Sequence, residues 1–267
     1  MNKFLQGIIF LFIFLFNQEG NLFADENNQA GRENLFQELM KKGFTRQELE
    51  NIFSDNRVEV YNSLIGPFGK ENEKKRQKYL KFLLSDASVQ DGETFLLTND
   101  NIFSDVEKEI GVDKEIIVSV FKVETDLGRY FGNYRVFNVY NTLYFKSPSV
   151  KKKEWAKQEL ICFLVICKEN GFDPLSIFGS SAGAFGWCQF LPSSWKYACD
   201  GNNDGVIDLF NLTDAAYSAA IFLKERGKWQ EGEWNDRNKQ AIFKYNRSLF
   251  YVKTVYLYAQ KIGFDQK

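Results

Sequence analysis

The helical period dominates this chain, with apolar positions recurring at the three-and-four spacing that lines one helix face. Over 32–42 it places Leu35, Leu39 and Met40 on one face and stops at Gly43, a residue suited to a helix C-terminus. Thr45-Arg-Gln-Glu48 then predicts the start of another helix. Its hydroxyl and its carboxylate can each satisfy a free backbone N–H of the first turn, which is the logic of a capping box. Further helices are expected over 70–84, 92–110, 113–127, 152–169, 213–226, 236–245 and 249–262, and only four prolines interrupt the chain. Segments rich in Gly, Asn and Ser predict loops at 128–149, 171–182 and 199–212. The pattern is that of a mainly α protein.

One stretch departs from the helical period: Gly7 to Phe16 is an unbroken run dominated by large apolar residues, preceded by Lys3 and followed by Leu22-Phe23-Ala24. That order reads as an export signal over 1–24, with a small residue at the cleavage point. The run is shorter than the ~20 apolar residues that span a bilayer. Leu22 fits the small-x-small cleavage pattern poorly, so an uncleaved anchor is the alternative. Export implies a periplasmic protein, with the remaining chain divided into an N-terminal helical region over 25–110 and a catalytic region over 111–267.

Composition narrows the chemistry. The 267 residues are 44% hydrophobic and 16% aromatic, enough for a sizeable core. Lys plus Arg number 34 against 35 for Asp plus Glu, so no basic field draws the chain to nucleic acid. Histidine is absent, which removes His-dependent nucleophile systems and His-ligated metals. Cys162 and Cys167 share an apolar helix face and read as buried thiols, while a Cys188–Cys199 bridge is conceivable from the spacing. The four cysteines lack the spacing of a zinc site.

Against this background Glu124 stands out. Ile117, Val120, Phe121 and Leu127 form the apolar stripe of the helix over 113–127, and Glu124 lies in the middle of it. A carboxyl among apolar neighbours holds its proton toward neutral pH and becomes a candidate general acid. The residues alone leave a structural ion pair equally open. Asp126 is the nearest acid in sequence, but two residues along a helix turn it roughly 200° away. It cannot flank the same bond, and it is expected to be solvated or paired with a loop.

A second segment, Gly179-Ser-Ser-Ala-Gly-Ala-Phe-Gly-Trp-Cys-Gln-Phe-Leu-Pro-Ser-Ser-Trp195, combines small residues with Ser180, Gln189, Trp187 and Phe190. It suits a sugar-binding cleft, but on its own it reads first as a tightly packed turn between helices, the commoner use of small residues. A third, Asp200 to Asn211, places Asp200, Asn202 and Asp204 at positions one, three and five of an EF-hand loop. Gly205 falls at six, the Val206 carbonyl at seven and Asp208 at nine. Position twelve is Asn211, one neutral oxygen in place of a bidentate carboxylate, so a structural Ca²⁺ would be held weakly; an Asx-rich turn is the alternative.

Together these segments resemble the lytic murein transglycosylases of the B type, exported bacterial enzymes with a lysozyme-like core. The resemblance rests on Val123-Glu-Thr-Asp-Leu-Gly-Arg129 with Gly132 and Arg135, Thr142-Leu143, Gly179-Ser180, Ala182-Gly-Ala184, Gly186 to Ser194 and Tyr245-Asn246. It implies a lysozyme-like transglycosylase core with an N-terminal helical extension and Glu124 as sole acid/base. Ser180 would orient the Glu, while Gln189, Tyr245 and Asn246 would line the cleft. The implied substrate is the glycan strand of peptidoglycan, cleaved to leave 1,6-anhydro ends. No cofactor would serve catalysis, a calcium loop would occupy 200–211, and the chain is expected to act as a monomer. One departure is Lys146-Ser-Pro-Ser-Val150, where such enzymes usually carry an aromatic-Pro-basic-basic run; contacts to peptide stems are affected.

Overall fold

A computed structural model describes residues 26–66 and 72–264, so the signal-like segment 1–24 lies outside the described residues. In chain order the elements are α1 (Glu26–Met40), α2 (Arg46–Ser54), α3 (Glu73–Leu83), α4 (Asp86–Thr98), α5 (Asp100–Ile110), α6 (Lys114–Thr125) and β1 (Tyr134–Arg135). There follow α7 (Val136–Lys146), α8 (Val150–Glu169), β2 (Phe178–Gly179), α9 (Leu212–Ile221), α10 (Asp236–Tyr245) and α11 (Leu249–Lys261), with a π-helical turn, Phe222–Gly227, continuing α9. The capping box forms as expected: Glu48 N–H donates to Thr45 Oγ1 (3.2 Å) and Thr45 N–H to Glu48 Oε2 (2.6 Å).

Two departures from the expected pattern have physical causes. The predicted helix over 92–110 is two helices, because Asn99 leaves helical geometry (φ −114°, ψ 24°) and its side-chain amide donates to the Phe95 carbonyl. α7 lies where a loop was expected. Val136 through Phe145 are all buried, so the helix has no polar face and its sequence carries no amphipathic period.

Among the described residues the elements group into two compact units: those up to 66 with 132–185 and 190–195 form the first, and 72–131, 186–189 and 196–264 the second. Both are discontinuous in sequence. In the first unit α7 packs on α8 and α8 on α1. Tyr140 Oη donates to the Gly183 carbonyl (3.0 Å), and β1 pairs antiparallel with β2, Tyr134 opposite Gly179.

α6 is the axis of the second unit, packed by α4, α5, α9 and α11. Residues Ile116 to Lys122 are all buried. Ahead of its first turn, the buried Asp113 carboxylate accepts from Trp229 Nε1 (2.8 Å) and Gly232 N–H (2.8 Å), tying the loop after the π-turn to the start of the helix. The far end of α6 carries Glu124.

Candidate active site

α6 ends in an unusual turn. Asp126 (φ 51°), Leu127 (φ 56°) and Gly128 (φ 77°) are consecutive left-handed residues, a conformation that costs non-glycine residues energy and is kept only where packing imposes it. Two contacts impose it here. The Lys122 ammonium, 3% exposed as a residue, pairs with Asp126 at 2.6 Å, and the Trp187 ring lies where a Cβ on residue 128 would be. Asp126 is therefore a buried ion-pair partner, 7% exposed, not a solvated residue. Arg129 (3.6 Å to Asp126) and Asp91 (2.7 Å to Arg129) extend the pairing to α4. Trp187 is itself fixed by Nε1 donating to the Phe210 carbonyl (3.0 Å) and by the rings of Phe95, Phe121 and Phe131.

Glu124 is half-buried, with the stripe residues Ile117, Val120 and Phe121 fully buried beside it. Burial pushes its carboxyl up to about 7, because the charged form loses hydration; the Tyr251 hydroxyl pulls in the opposite direction. The site around it is phenolic. Tyr251 of α11 and Tyr245 of α10 stack with rings 9° from parallel, and Tyr245 meets Phe222 of the π-turn edge-on at 4.8 Å. Tyr245 Oη donates to the Cys188 carbonyl (2.8 Å), and Cys188 Sγ donates to the Ala215 carbonyl (3.1 Å). Tyr79 of α3, Tyr245, Tyr251 and Cys188 all have their ionisation pushed upward by burial and by the nearby Glu124 charge. The tyrosines stay protonated and serve as permanent donors.

The other residues singled out by sequence divide between the units. Gln189, in left-handed conformation (φ 46°), donates from Nε2 to the carbonyls of Gly186 (3.0 Å) and Phe131 (3.2 Å). Asn246 ends α10 in extended conformation and is exposed. Ser180 belongs to the first unit, where Oγ accepts the N–H groups of Ala182 (3.2 Å) and Ala184 (3.1 Å), leaving its own O–H as a donor. The small residues nearby serve packing: a Cβ on Gly183 would enter the Tyr140 ring, and Phe190 is buried.

The loop over 200–211 is tied to itself. Asp200 accepts from Asp204 N–H (3.1 Å) and Gly205 N–H (2.8 Å), Asp204 from Val206 N–H (2.9 Å) and Asp208 from Phe210 N–H (2.8 Å); Asn202 Nδ2 donates to Asp204 (2.9 Å). Asn211 Oδ1 caps α9 by accepting from Thr213 and Asp214 N–H. Fully buried Asp214 accepts from Gly201, Asn202 and Asp208 N–H and so knits the loop from beneath. Oxygen donors suit a hard cation. Among the described residues, no three acidic, His or Cys side chains converge as a ready metal set, so an ion would have to draw the loop together.

The transglycosylase SLT domain family matches residues 27–237. The chain belongs to that family. Membrane-bound lytic murein transglycosylase B of Escherichia coli K12 is 34% identical to it over 229 residues, 81% of this chain and 61% of the relative, so the chain spans less than two thirds of that protein. A soluble lytic transglycosylase from Pseudomonas aeruginosa has the same fold (TM-score 0.79, 30% identity, covering 87% of this chain and 98% of that one). So does an Escherichia coli lytic transglycosylase solved in complex with calcium (TM-score 0.79, 26% identity, 91% and 94%). The mainly helical, lysozyme-like architecture of this SLT domain agrees with the resemblance seen in the sequence. Sequence reasoning missed Tyr79, Tyr251, Cys188 and Asp214. Tyr251 had a signal, since Tyr251, Val255 and Tyr258 repeat at helix-face spacing just after Tyr245-Asn246; Tyr79 lies in a strongly charged helix with none.

Proposed function

We propose that this SLT-domain protein is a lytic transglycosylase that cleaves the β-1,4 bond between N-acetylmuramic acid and N-acetylglucosamine in peptidoglycan. The observation that carries the reading is Glu124: a half-buried carboxyl on an otherwise buried helix face, poised at about 7, with no second carboxylate among the groups that shift it. A group near neutrality can donate a proton in one step and take one back in the next. Protonated Glu124 gives its proton to the glycosidic oxygen as the bond to the anomeric carbon breaks. The resulting carboxylate removes the proton of the muramic C6 hydroxyl, whose oxygen closes on the anomeric carbon to give the 1,6-anhydro ring. The substrate's acetamido group stabilises the cation-like centre, so the second carboxylate of two-acid glycosidases is dispensable. Asp126, the nearest acid in sequence, is occupied by Lys122.

Gln189, Tyr245 and Asn246 line the glycan site in this reading. The protein acts on glycan strands outside the cytoplasm as a monomer, delivered by the segment 1–24. Among the described residues no helix is long and apolar enough to cross a membrane. The loop binds calcium with modest affinity through Asp200, Asn202, Asp204, the Val206 carbonyl and Asp208; the calcium-bound relative and the all-oxygen donor set support this. Mass spectrometry of digested sacculi tests the reaction type: anhydro-muramoyl ends are expected, and reducing ends formed with water would assign a muramidase instead.

A further inference from the structure

A cavity of about 340 Å³ opens beside the left-handed turn, within the second unit, and the scheme above leaves it unused. Its lining includes Gln90, Asp91, Thr94 and Phe95 of α4 with Leu127 and Arg129 of the turn. That volume falls in the ordinary range of small-ligand sites. Lys122 accounts for the left-handed geometry of Asp126, but Leu127 (φ 56°) bears the same strain with no charge to pair. What the strained turn delivers is an apolar side chain and a guanidinium set against α4. Strained backbone concentrates at ligand clamps, where the rest of the fold over-determines it. The Arg129–Asp91 pair itself is about half exposed (52% and 41%), and an exposed pair contributes little to stability.

The charges at this cavity balance: Arg129 and Lys122 stand against Asp91 and Asp126. Arg129 meets both carboxylates through Nη1, which leaves Nη2 and Nε as donors. Asp91 meets both cations through Oδ2, which leaves Oδ1 as an acceptor, and the hydrogen bond from Arg129 holds its carboxyl below the ordinary value. A ligand of net charge would unbalance the four groups, whereas one with an ammonium and a carboxylate on the same carbon satisfies both open edges. Phe95 is the one aromatic residue of the lining, and its ring already packs on Phe103 and Trp187, so a flat platform for a sugar ring is lacking. With Leu127 it supplies instead an apolar floor for a short methylene chain. We propose that this cavity is a subsite for a zwitterionic amino-acid head group, Arg129 donating to its carboxylate and Asp91 accepting from its ammonium, and that the head group belongs to the diamino acid of a peptidoglycan peptide stem. The second half rests on the assignment of peptidoglycan as substrate. Arg129 follows Glu124 by five residues, so their Cα atoms lie at most about 18 Å apart, a span that a stem branching from a sugar at Glu124 covers in a few extended residues.

The test titrates meso-diaminopimelate into the full protein, read by calorimetry and by the NMR signal of the Arg129 Nε–H. Pimelate, which lacks the ammonium groups, and 1,5-diaminopentane, which lacks the carboxylates, serve as comparison ligands. Diaminopimelate should bind saturably and shift the Arg129 signal, with both comparison ligands at least about tenfold weaker, the loss of one charge-assisted hydrogen bond. Arg129→Gln and Asp91→Asn should each weaken it by a similar factor. No binding of diaminopimelate, equal binding of the three compounds, or affinity unchanged by both substitutions overturns the subsite, as does an Arg129 shift produced by N-acetylglucosamine in its place. The stem is tested by binding of soluble glycan strands with and without their peptides: wild type should prefer the stem-bearing strands and Arg129→Gln should erase the preference, while equal affinity in wild type overturns that assignment. Absence of anhydro products from wild type would defeat the functional reading alone, since none of these binding measurements depends on turnover.

Discussion

Keeping the Glu124 carboxyl out of water has a thermodynamic consequence as well as a chemical one. Its folded-state value of about 7 lies above the ordinary 4.5, so the folded protein binds more protons than the unfolded chain between those two values. Stability is therefore highest below about 4.5 and falls as pH rises through about 7. Glu124→Gln removes that penalty. It should stabilise the protein by roughly 3 kcal/mol at pH 8 and by almost nothing near pH 4, read from urea denaturation at the two pH values. A pH-independent gain would mean that the group is not buried as described. The same value sets activity: kcat/KM should fall above pH 7 as the acid form is lost.

At the scale of elements, the end of α6 is held in place by what surrounds it. Gly128→Ala would place a methyl group in the Trp187 ring at a left-handed position, and should cost roughly 2 kcal/mol or more in chemical denaturation. Lys122→Met would leave buried Asp126 with only the more distant Arg129, and a loss on the order of 2–3 kcal/mol is expected. If both variants unfold like wild type, the left-handed turn is not the brace proposed here. Elements with a polar face were legible from the sequence: α2 from its capping box, α10 and α11 nearly to the residue. α7 was not, because a helix buried all round shows no period, and its Asn138 and Asn141 resemble loop residues although both are fully buried. The break at Asn99 was missed for a related reason, since a single capping amide leaves the apolar pattern on either side intact.

For the molecule as a whole, the candidate site was legible where one residue type had to sit at one place in a pattern. Glu124 was found because a carboxylate interrupts an apolar stripe. Of its tyrosine surroundings, Tyr245 was named through the family resemblance, but Tyr79 and Tyr251 were not, because they come from two further helices that only the fold brings near this carboxyl. The loop over 200–211 was legible as oxygen donors at regular spacing, whereas Asp214, which ties it down, lies beyond the motif. Calcium at millimolar concentration should raise the melting temperature, chelation should reverse the gain, and Asp200→Ala should abolish the response; a melting temperature indifferent to calcium would leave the loop a plain turn. The central claim is that one carboxyl carries both proton transfers. It is tested most directly by incubating sacculi with wild type and Glu124→Gln and measuring anhydro-muramoyl ends by mass spectrometry. Wild type should generate them and the variant should lose at least about 10²-fold in rate while still binding sacculi; equal product formation by the two would contradict the account.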